Sequence, residues 1–244
     1  QMSVLIETMR REGFELCIGR PRVLFKTDEA TGERLEPMEE VVVDVDQEHS
    51  GSVVQKISMR KGEMISMMPS GAGKVKMTFI APTRGLIGYH GEFLTDTRGT
   101  GIINRLFHGY GPYKGDVTGR RTGVLIAMST GEATEYDLWN LEERGIIMIL
   151  PGTKVYEGMI VGEHNRDNDL PVNVLKGKKL TNVRASGSDE STKLVPPRIL
   201  TLEQAITYIN DDELVEVTPQ SIRLRKAILD PNVRKRLEKA AEAV

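Results

Sequence analysis

The chain has 244 residues, a length that predicts about two domains at roughly 100 to 200 residues per domain. Hydrophobic residues make up 39% and charged residues 28%, which excludes the disordered, collagen-like and fibrous classes. The net charge is -2, so affinity for nucleic acid has to come from a local basic patch rather than from the chain as a whole. The lone Cys17 excludes an internal disulfide and favours a reducing compartment. No apolar run approaches the roughly 18 residues of a membrane span.

The first 35 residues predict the end of an α+β domain. An amphipathic helix is already under way at the first residue and is closed by Gly13, and two strands are expected at 14–18 and 22–26. The chain begins with Gln1 rather than with Met. We therefore expect that it is a piece of a longer protein and that the start of this first domain is missing.

Residues 36–114 predict a complete ferredoxin-like domain with the order βαββαβ. The expected elements are a valine-rich strand, a helix, two strands joined by a tight turn, a second helix and a last strand: 40–46, 50–61, 62–68, 74–79, 84–95 and 101–110. Ser50 is the expected N-cap of the first helix, and Leu86, His90 and Phe93 share one stripe of the second. This scaffold serves many unrelated functions, so it does not by itself identify one.

Residues 115–244 predict a small, mostly β, barrel-like domain with short helices. Short strands separated by glycine turns are expected at 124–128, 146–150, 159–163, 172–175, 214–217 and 221–224. Thr201 and Gln204 match a capping box that begins a short helix, and Asp230 is the expected N-cap of a terminal helix. The fold class is therefore α+β.

No motif in the chain predicts catalysis, a cofactor or a metal ion. The segment 70–74 resembles a phosphate-binding loop, but its glycine spacing is wrong, Val75 follows its lysine, and a hairpin turn explains it. The segment 165–170 has the composition of a calcium loop but lacks its glycine and its final glutamate. The four histidines have no zinc-ligand spacing. We therefore expect that this chain alone is not an enzyme.

The clearest candidate for binding is a basic segment, residues 173–198. Between residues 176 and 184 it carries four positive charges and no negative charge, and little in it is apolar, so a mobile surface loop is expected. No aromatic residue lies in it, so contact with the phosphate backbone is favoured over base stacking. A solvated loop without a ligand explains the same charge. The candidate nucleic-acid-binding residues are Lys176, Lys178, Lys179, Arg184 and Lys193.

Several segments resemble the C-terminal half of the BipA/TypA family of bacterial translational GTPases, which are related to elongation factor G. The resemblance covers essentially the whole chain and is most specific after Gly119. The segments that carry it are 20–23, 44–54, 82–88, 155–158, 168–170, 177–182, 184–187 and 211–219.

The resemblance implies a domain III equivalent at 1–35, a domain V equivalent at 36–114 and a family-specific domain at 115–244. It implies a cytoplasmic, monomeric chain that contacts rRNA of the large ribosomal subunit and the A-site tRNA through the basic segment. It also implies roles in large-subunit assembly and in translation under stress. GTP and Mg²⁺ would bind a domain that precedes this chain.

Two hypotheses about function remain open at this point. The first is a ribosome-binding part of a translational GTPase that contacts RNA through the basic segment. The second is a protein-interaction module that makes no direct RNA contact.

Overall fold

A computed structural model describes residues 2–117, 120, 122–175 and 194–242. Its helices are α1 (Met2–Arg11), α2 (Gln47–Met59), α3 (Tyr89–Asp96), α4 (Glu135–Leu141), α5 (Leu202–Tyr208) and α6 (Pro231–Glu242), with a 3-10 turn at Thr83–Leu86. Its strands are β1 (Leu16–Gly19), β2 (Lys26–Thr27), β3 (Arg34–Asp46), β4 (Glu63–Gly71), β5 (Lys74–Pro82), β6 (Ile102–Pro112), β7 (Val124–Ala127), β8 (Gly131–Glu132), β9 (Gly145–Ile147), β10 (Lys154–Val155), β11 (Met159–His164), β12 (Leu170–Val172), β13 (Glu213–Val217) and β14 (Ile222–Lys226).

The chain forms two compact units. Residues 21–119 form one of them, which we call the ferredoxin-like unit. Residues 1–20 and 120–244 together form the other, which we call the discontinuous unit because the first interrupts it in sequence.

The ferredoxin-like unit has the predicted order of elements and the matching sheet. Its strands are ordered β6-β3-β5-β4, all antiparallel, and the short β2 pairs with the start of β3. Alternate residues of β5 are buried, among them Val75, Met77 and Phe79, because a strand places successive side chains on opposite faces. These residues pack against Val53 and Ile57 of α2. The predicted α+β class and ferredoxin-like domain are confirmed.

Two details of the helices in this unit differ from the prediction. The expected helix at 84–95 is interrupted: the 3-10 turn ends at Leu86, Gly88 adopts a positive φ of 79°, and α3 begins at Tyr89. As a result Tyr89 is buried and His90 is exposed. The N-cap of α2 is Asp46 rather than Ser50, whose hydroxyl donates to the Gln47 carbonyl at 2.7 Å.

The discontinuous unit has a sheet with a hydrophobic core on each face. The sheet order is β1-β13-β14-β11-β7-β12, and β9 also pairs with β11. The four residues of β7 are all buried. Val124 and Ile126 lie in the core that includes α5, and the alternate residues Leu125 and Ala127 lie in the core that includes α4. We call the core that includes α4 the α4 core. A short apolar run without alternation is typical of a strand covered on both faces.

The sheet of the discontinuous unit is open rather than closed into a barrel. Among the described strands, β1 and β12 lie at the ends of the pairing order, and no pairing joins them. The glycine-separated strands therefore build an open sheet, and the barrel-like description from the sequence is corrected.

The division into units also differs from the predicted boundaries at 35 and 115. Strand β1 pairs with β13 from Leu16 opposite Val217 to Gly19 opposite Leu214, and Ile6 of α1 is buried in the core with α5. The first residues therefore complete the discontinuous unit. Residues 21–35 lie in the ferredoxin-like unit, where the expected strand at 22–26 is reduced to β2 and the boundary at 35 falls inside β3.

Helix ends in the discontinuous unit follow local capping rules. The capping box of α5 is present, with Thr201 and Gln204 bonding each other's main chain. Asp230 caps α6 as expected, and its Oδ1 accepts from the Asn232 N–H at 2.7 Å. Helix α4 was not predicted, although Thr134 caps it by accepting from the Asp137 N–H.

Candidate nucleic-acid interface

The five residues that the sequence assigns to nucleic-acid binding lie outside the described residues. They are Lys176, Lys178, Lys179, Arg184 and Lys193. The structure does describe both ends of the basic segment, at 173–175 and 194–198. These ends show which part of the fold adjoins the basic segment.

The first end of the basic segment follows β12 and is held by main-chain hydrogen bonds. The Val174 carbonyl accepts from the Thr134 N–H at 2.9 Å, and the Leu175 N–H donates to Asn173 Oδ1 at 2.9 Å. The Leu175 side chain packs against the α4 core. Residues 173–175 therefore have a fixed position beside the N-cap of α4.

The second end of the basic segment returns to the same core. Leu194 packs against it, and the Val195 N–H donates to Oε1 of Glu142, the C-cap residue of α4, at 2.6 Å. The Arg198 N–H donates to the Ile147 carbonyl at 2.8 Å. Helix α4 thus holds both ends of the basic segment, one near each of its own termini.

A buried ionic cluster lies where β12 begins. The fully buried Glu213 pairs with Arg120 at 2.7 Å and with Lys226 at 3.1 Å. The Lys226 ammonium also lies 2.5 Å from the Asp169 carboxylate and 2.7 Å from that of Asp212. Since Asp169 directly precedes β12, the cluster ties this strand to β13 and β14. We call these five residues the ionic cluster.

Two buried members of the ionic cluster, Glu213 and Lys226, are held in their ionised forms. Burial by itself raises the pKa of Glu213, but the hydrogen bonds and charge of Arg120 and the charge of Lys226 outweigh it and lower that pKa. Burial by itself lowers the pKa of Lys226, whereas Glu213 and Asp169 raise it overall. Glu213 and Lys226 therefore stay charged at neutral pH, and we assign the cluster a structural role.

A second group of cations lies among aromatic rings in the ferredoxin-like unit. The Arg34 guanidinium lies 3.7 Å from the centroid of the Phe25 ring and 4.8 Å from that of Tyr113. The Lys26 ammonium lies 4.2 Å from the centroid of Tyr110. All three distances are within the range of cation–π attraction. This cluster was not predicted from the sequence, although Phe25 and Lys26 are adjacent and β6 contains both basic and aromatic residues.

The Arg84 side chain is engaged inside the ferredoxin-like unit. Its guanidinium donates to both oxygens of the fully buried Glu36, at 2.5 and 3.2 Å, and also to the Gly115 carbonyl. Glu36 further accepts from the Lys114 N–H at 2.7 Å. Arg84 therefore anchors the 3-10 turn to the end of β6, and we assign it a structural role.

Other kinds of site find little support in the part of the chain that the structure describes. That part contains no group of three or more His, Cys, Asp or Glu side chains placed to hold a metal ion. The segment at 70–74 lies in the β4–β5 hairpin, where Gly71 and Gly73 have positive φ. None of the helices formed by the described residues has the length and apolarity needed to cross a membrane.

Comparison with known protein families gives a match for each unit. Residues 122–231 match the TypA/BipA C-terminal domain, and residues 33–121 match the elongation factor G C-terminus. The chain belongs to the TypA/BipA family. The TypA/BipA match lies in the discontinuous unit and includes both ends of the basic segment. The elongation factor G match covers the ferredoxin-like unit from β3 onward.

Curated TypA/BipA relatives match over nearly the whole chain. The chain is 54% identical to a protein of Bacillus subtilis (strain 168) over 99% of its length, and 52% identical to one of Haemophilus influenzae over 96%. It is 51% identical to one of Escherichia coli (strain K12) over 98%. Each is named "Large ribosomal subunit assembly factor BipA". The chain spans 38 to 39% of the length of these relatives.

Part of the resemblance to the TypA/BipA family comes from the ionic cluster. The segments 168–170 and 211–219 contribute Asp169, Asp212 and Glu213 to it. Sequence reasoning did not bring these residues together, because they are distant in the chain. The sequence signal that could have indicated a charged cluster is the acidic pair Asp211 and Asp212 directly before β13.

Proposed function

We propose that this chain is the ribosome-binding part of a large ribosomal subunit assembly factor. The observation that carries the proposal is the identity of 51 to 54% over nearly the whole chain with relatives that bear this name. The identity extends over both units, and within them the proposal assigns RNA contact to the basic segment alone. The ribosome is the partner.

The basic segment is the proposed RNA contact. Lys176, Lys178, Lys179 and Arg184 supply four positive charges without a negative one between them. The described ends of the segment, Leu175 and Leu194, both pack against the α4 core, which supports the discontinuous unit as the place of this contact. Each cation that neutralises a phosphate releases counterions, and this release drives association.

The proposed RNA targets are rRNA of the large subunit and the A-site tRNA, in the cytoplasm and during growth under stress. GTP hydrolysis with Mg²⁺ is proposed for a part of the protein outside this chain. The segment 70–74 does not have the geometry of a phosphate-binding loop, because it joins two antiparallel strands and leads into no helix. Thermal denaturation with and without GTP tests this point, and a GTP-dependent increase in Tm would contradict it.

Salt dependence of ribosome binding tests the RNA contact. The wild-type chain is titrated onto large ribosomal subunits at several salt concentrations, together with the triple variant Lys176→Ala/Lys178→Ala/Lys179→Ala. Log K is expected to fall linearly with log salt, and the triple change is expected to reduce that slope by about 2 to 3 and to weaken binding at every salt concentration.

A matched triple variant controls for net charge. Lys61, Lys76 and Lys154 are exposed, and none of them forms an ion pair with a described residue. Changing these three residues to Ala is expected to leave the slope of log K against log salt equal to the wild-type slope within experimental error. Equal effects of the two triple variants, or binding that does not respond to salt, would overturn the RNA contact and favour a protein-interaction module.

A further inference from the structure

Helix α4 presents an exposed aromatic pair. Trp139 is the single tryptophan of the chain and is 42% exposed, and Tyr136, one helical turn earlier, is 37% exposed. Their ring centroids lie 6.4 Å apart with the ring planes at 40°. On the opposite side of α4, Leu138 and Leu141 are buried in the α4 core. The aromatic pair is thus fixed by the packing of its own helix while its rings remain accessible.

Carboxylates flank this aromatic pair at the two ends of α4. Glu135 lies four residues before Trp139, a spacing that places both on one helix face, and Glu143 lies two residues beyond the last residue of α4, Leu141. Both glutamates are exposed, and neither forms an ion pair with a cation among the residues described. Residues 131–145 contain five acidic residues and one basic residue, a net charge of -4. We call Glu135, Tyr136, Trp139 and Glu143 the acidic aromatic surface.

The chemistry of the acidic aromatic surface selects its partner. A guanidinium group can lie on the face of Trp139 and at the same time form an ion pair with a neighbouring carboxylate. The phosphates of RNA would be repelled by the same carboxylates. Tryptophan, tyrosine and arginine are also the residues that most often dominate protein–protein binding energy.

We propose that the acidic aromatic surface binds an arginine-rich segment of a partner protein. The site is preorganised, because Thr134 caps α4 and the buried leucines fix the rotation of the helix, so little ordering is needed on binding. It lies on the same helix that holds both ends of the basic segment, but it requires the opposite charge in its ligand. The proposal therefore stands whether or not the basic segment contacts RNA.

Fluorescence of Trp139 reports directly on this site. The chain is titrated with a ten-residue arginine-rich peptide that has no aromatic residue, and with the same peptide in which citrulline replaces arginine. The arginine peptide is expected to give a saturable change in Trp139 emission that weakens with salt. The citrulline peptide is expected to bind at least about tenfold more weakly.

Two double variants of equal net charge separate a specific site from general attraction to an acidic protein. Glu135→Gln/Glu143→Gln is expected to raise the Kd of the arginine peptide about tenfold. Glu29→Gln/Glu33→Gln changes two exposed glutamates of the ferredoxin-like unit and is expected to leave the Kd unchanged. Far-UV circular dichroism verifies that both variants are folded.

A third variant tests the aromatic ring itself. Trp139→Phe is expected to weaken binding of a fluorescently labelled arginine peptide about tenfold, measured by anisotropy. Equal weakening by the two glutamate double variants, or no change in Trp139 emission, would each overturn the proposal.

Discussion

Arg120 and Glu213 form a two-point ion pair in the interior of the discontinuous unit. The guanidinium donates to both carboxylate oxygens, at 2.7 and 3.0 Å, and the carboxylate is fully buried. Lys226 contacts the same carboxylate at 3.1 Å. The pair thus fastens the chain just before β7 to the start of β13.

Removal of the buried negative charge is expected to destabilise the discontinuous unit. Glu213→Gln leaves Arg120 without its charge partner, and a broken buried pair costs about 3 kcal/mol of unfolding free energy. Urea unfolding followed by Trp139 fluorescence measures this loss, since Trp139 lies in this unit. The exposed Glu157→Gln in the same unit serves as the control and is expected to change stability by less than about 0.5 kcal/mol. Similar losses in the two variants would contradict the assigned role.

The same cluster predicts how stability depends on pH. The pKa of Glu213 is lowered from its ordinary 4.5, so its contribution is fully present above pH 4.5 and is lost as the pH falls through the lowered value. The pKa of Lys226 is raised from 10.5, so its contribution is present below pH 10.5 and is lost as the pH rises through the raised value. Thermal unfolding followed at Trp139 is expected to show a fall in Tm below pH 4.5 that is smaller in Glu213→Gln. An equal fall in Tm below pH 4.5 in the wild-type chain and in Glu213→Gln would contradict this expectation.

The buried Glu36 predicts a separate effect on the ferredoxin-like unit. Glu36→Gln weakens the two-point pair with Arg84 and is expected to cost about 3 kcal/mol in that unit. Circular dichroism, which reports both units, should show the change, while the urea transition of Trp139 stays in place. The exposed Glu33→Gln is the control. A shift of the Trp139 transition in Glu36→Gln would mean that the two units unfold together.

Two glycines predict opposite effects of the same substitution. A Cβ on Gly145 would lie 1.9 Å from the Glu163 carbonyl oxygen on the paired strand, so Gly145→Ala is expected to cost about 3 kcal/mol. A Cβ on Gly51, inside α2, meets no atom within 4 Å. Gly51→Ala is therefore expected to stabilise the ferredoxin-like unit by about 0.5 to 1 kcal/mol. Urea unfolding of both variants by circular dichroism tests the pair, and a loss in Gly51→Ala would contradict it.

The ferredoxin-like unit was predictable because its signals are local. The strict alternation in β5 and the valines of β3 each specify one buried face, and a tight turn joins β4 to its neighbour in the sheet, β5. The interruption before α3 was harder to predict, since Gly88 lies within an otherwise periodic helical stretch. Its left-handed backbone moves the buried position from His90 to Tyr89.

The discontinuous unit and its site were less predictable because their decisive contacts are distant in sequence. Nothing near β1 indicates that its partner is β13, and nothing near Arg120 indicates Glu213. Helix α4 has seven residues, too few for a clear helical period, so the surface formed by Tyr136 and Trp139 was missed. The five cations assigned to nucleic-acid binding stay a prediction, as does the identity of the RNA.

The pairing of β1 with β13 sets an order of events during synthesis. The ferredoxin-like unit is contiguous, so it can fold once β6 has emerged. Strand β1 emerges before it but has to wait for β13, near the other end of the chain, with its apolar residues unpaired in the meantime. Since closing such a distant contact is slow and entropically costly, the discontinuous unit should mature last and should depend most on protection from aggregation.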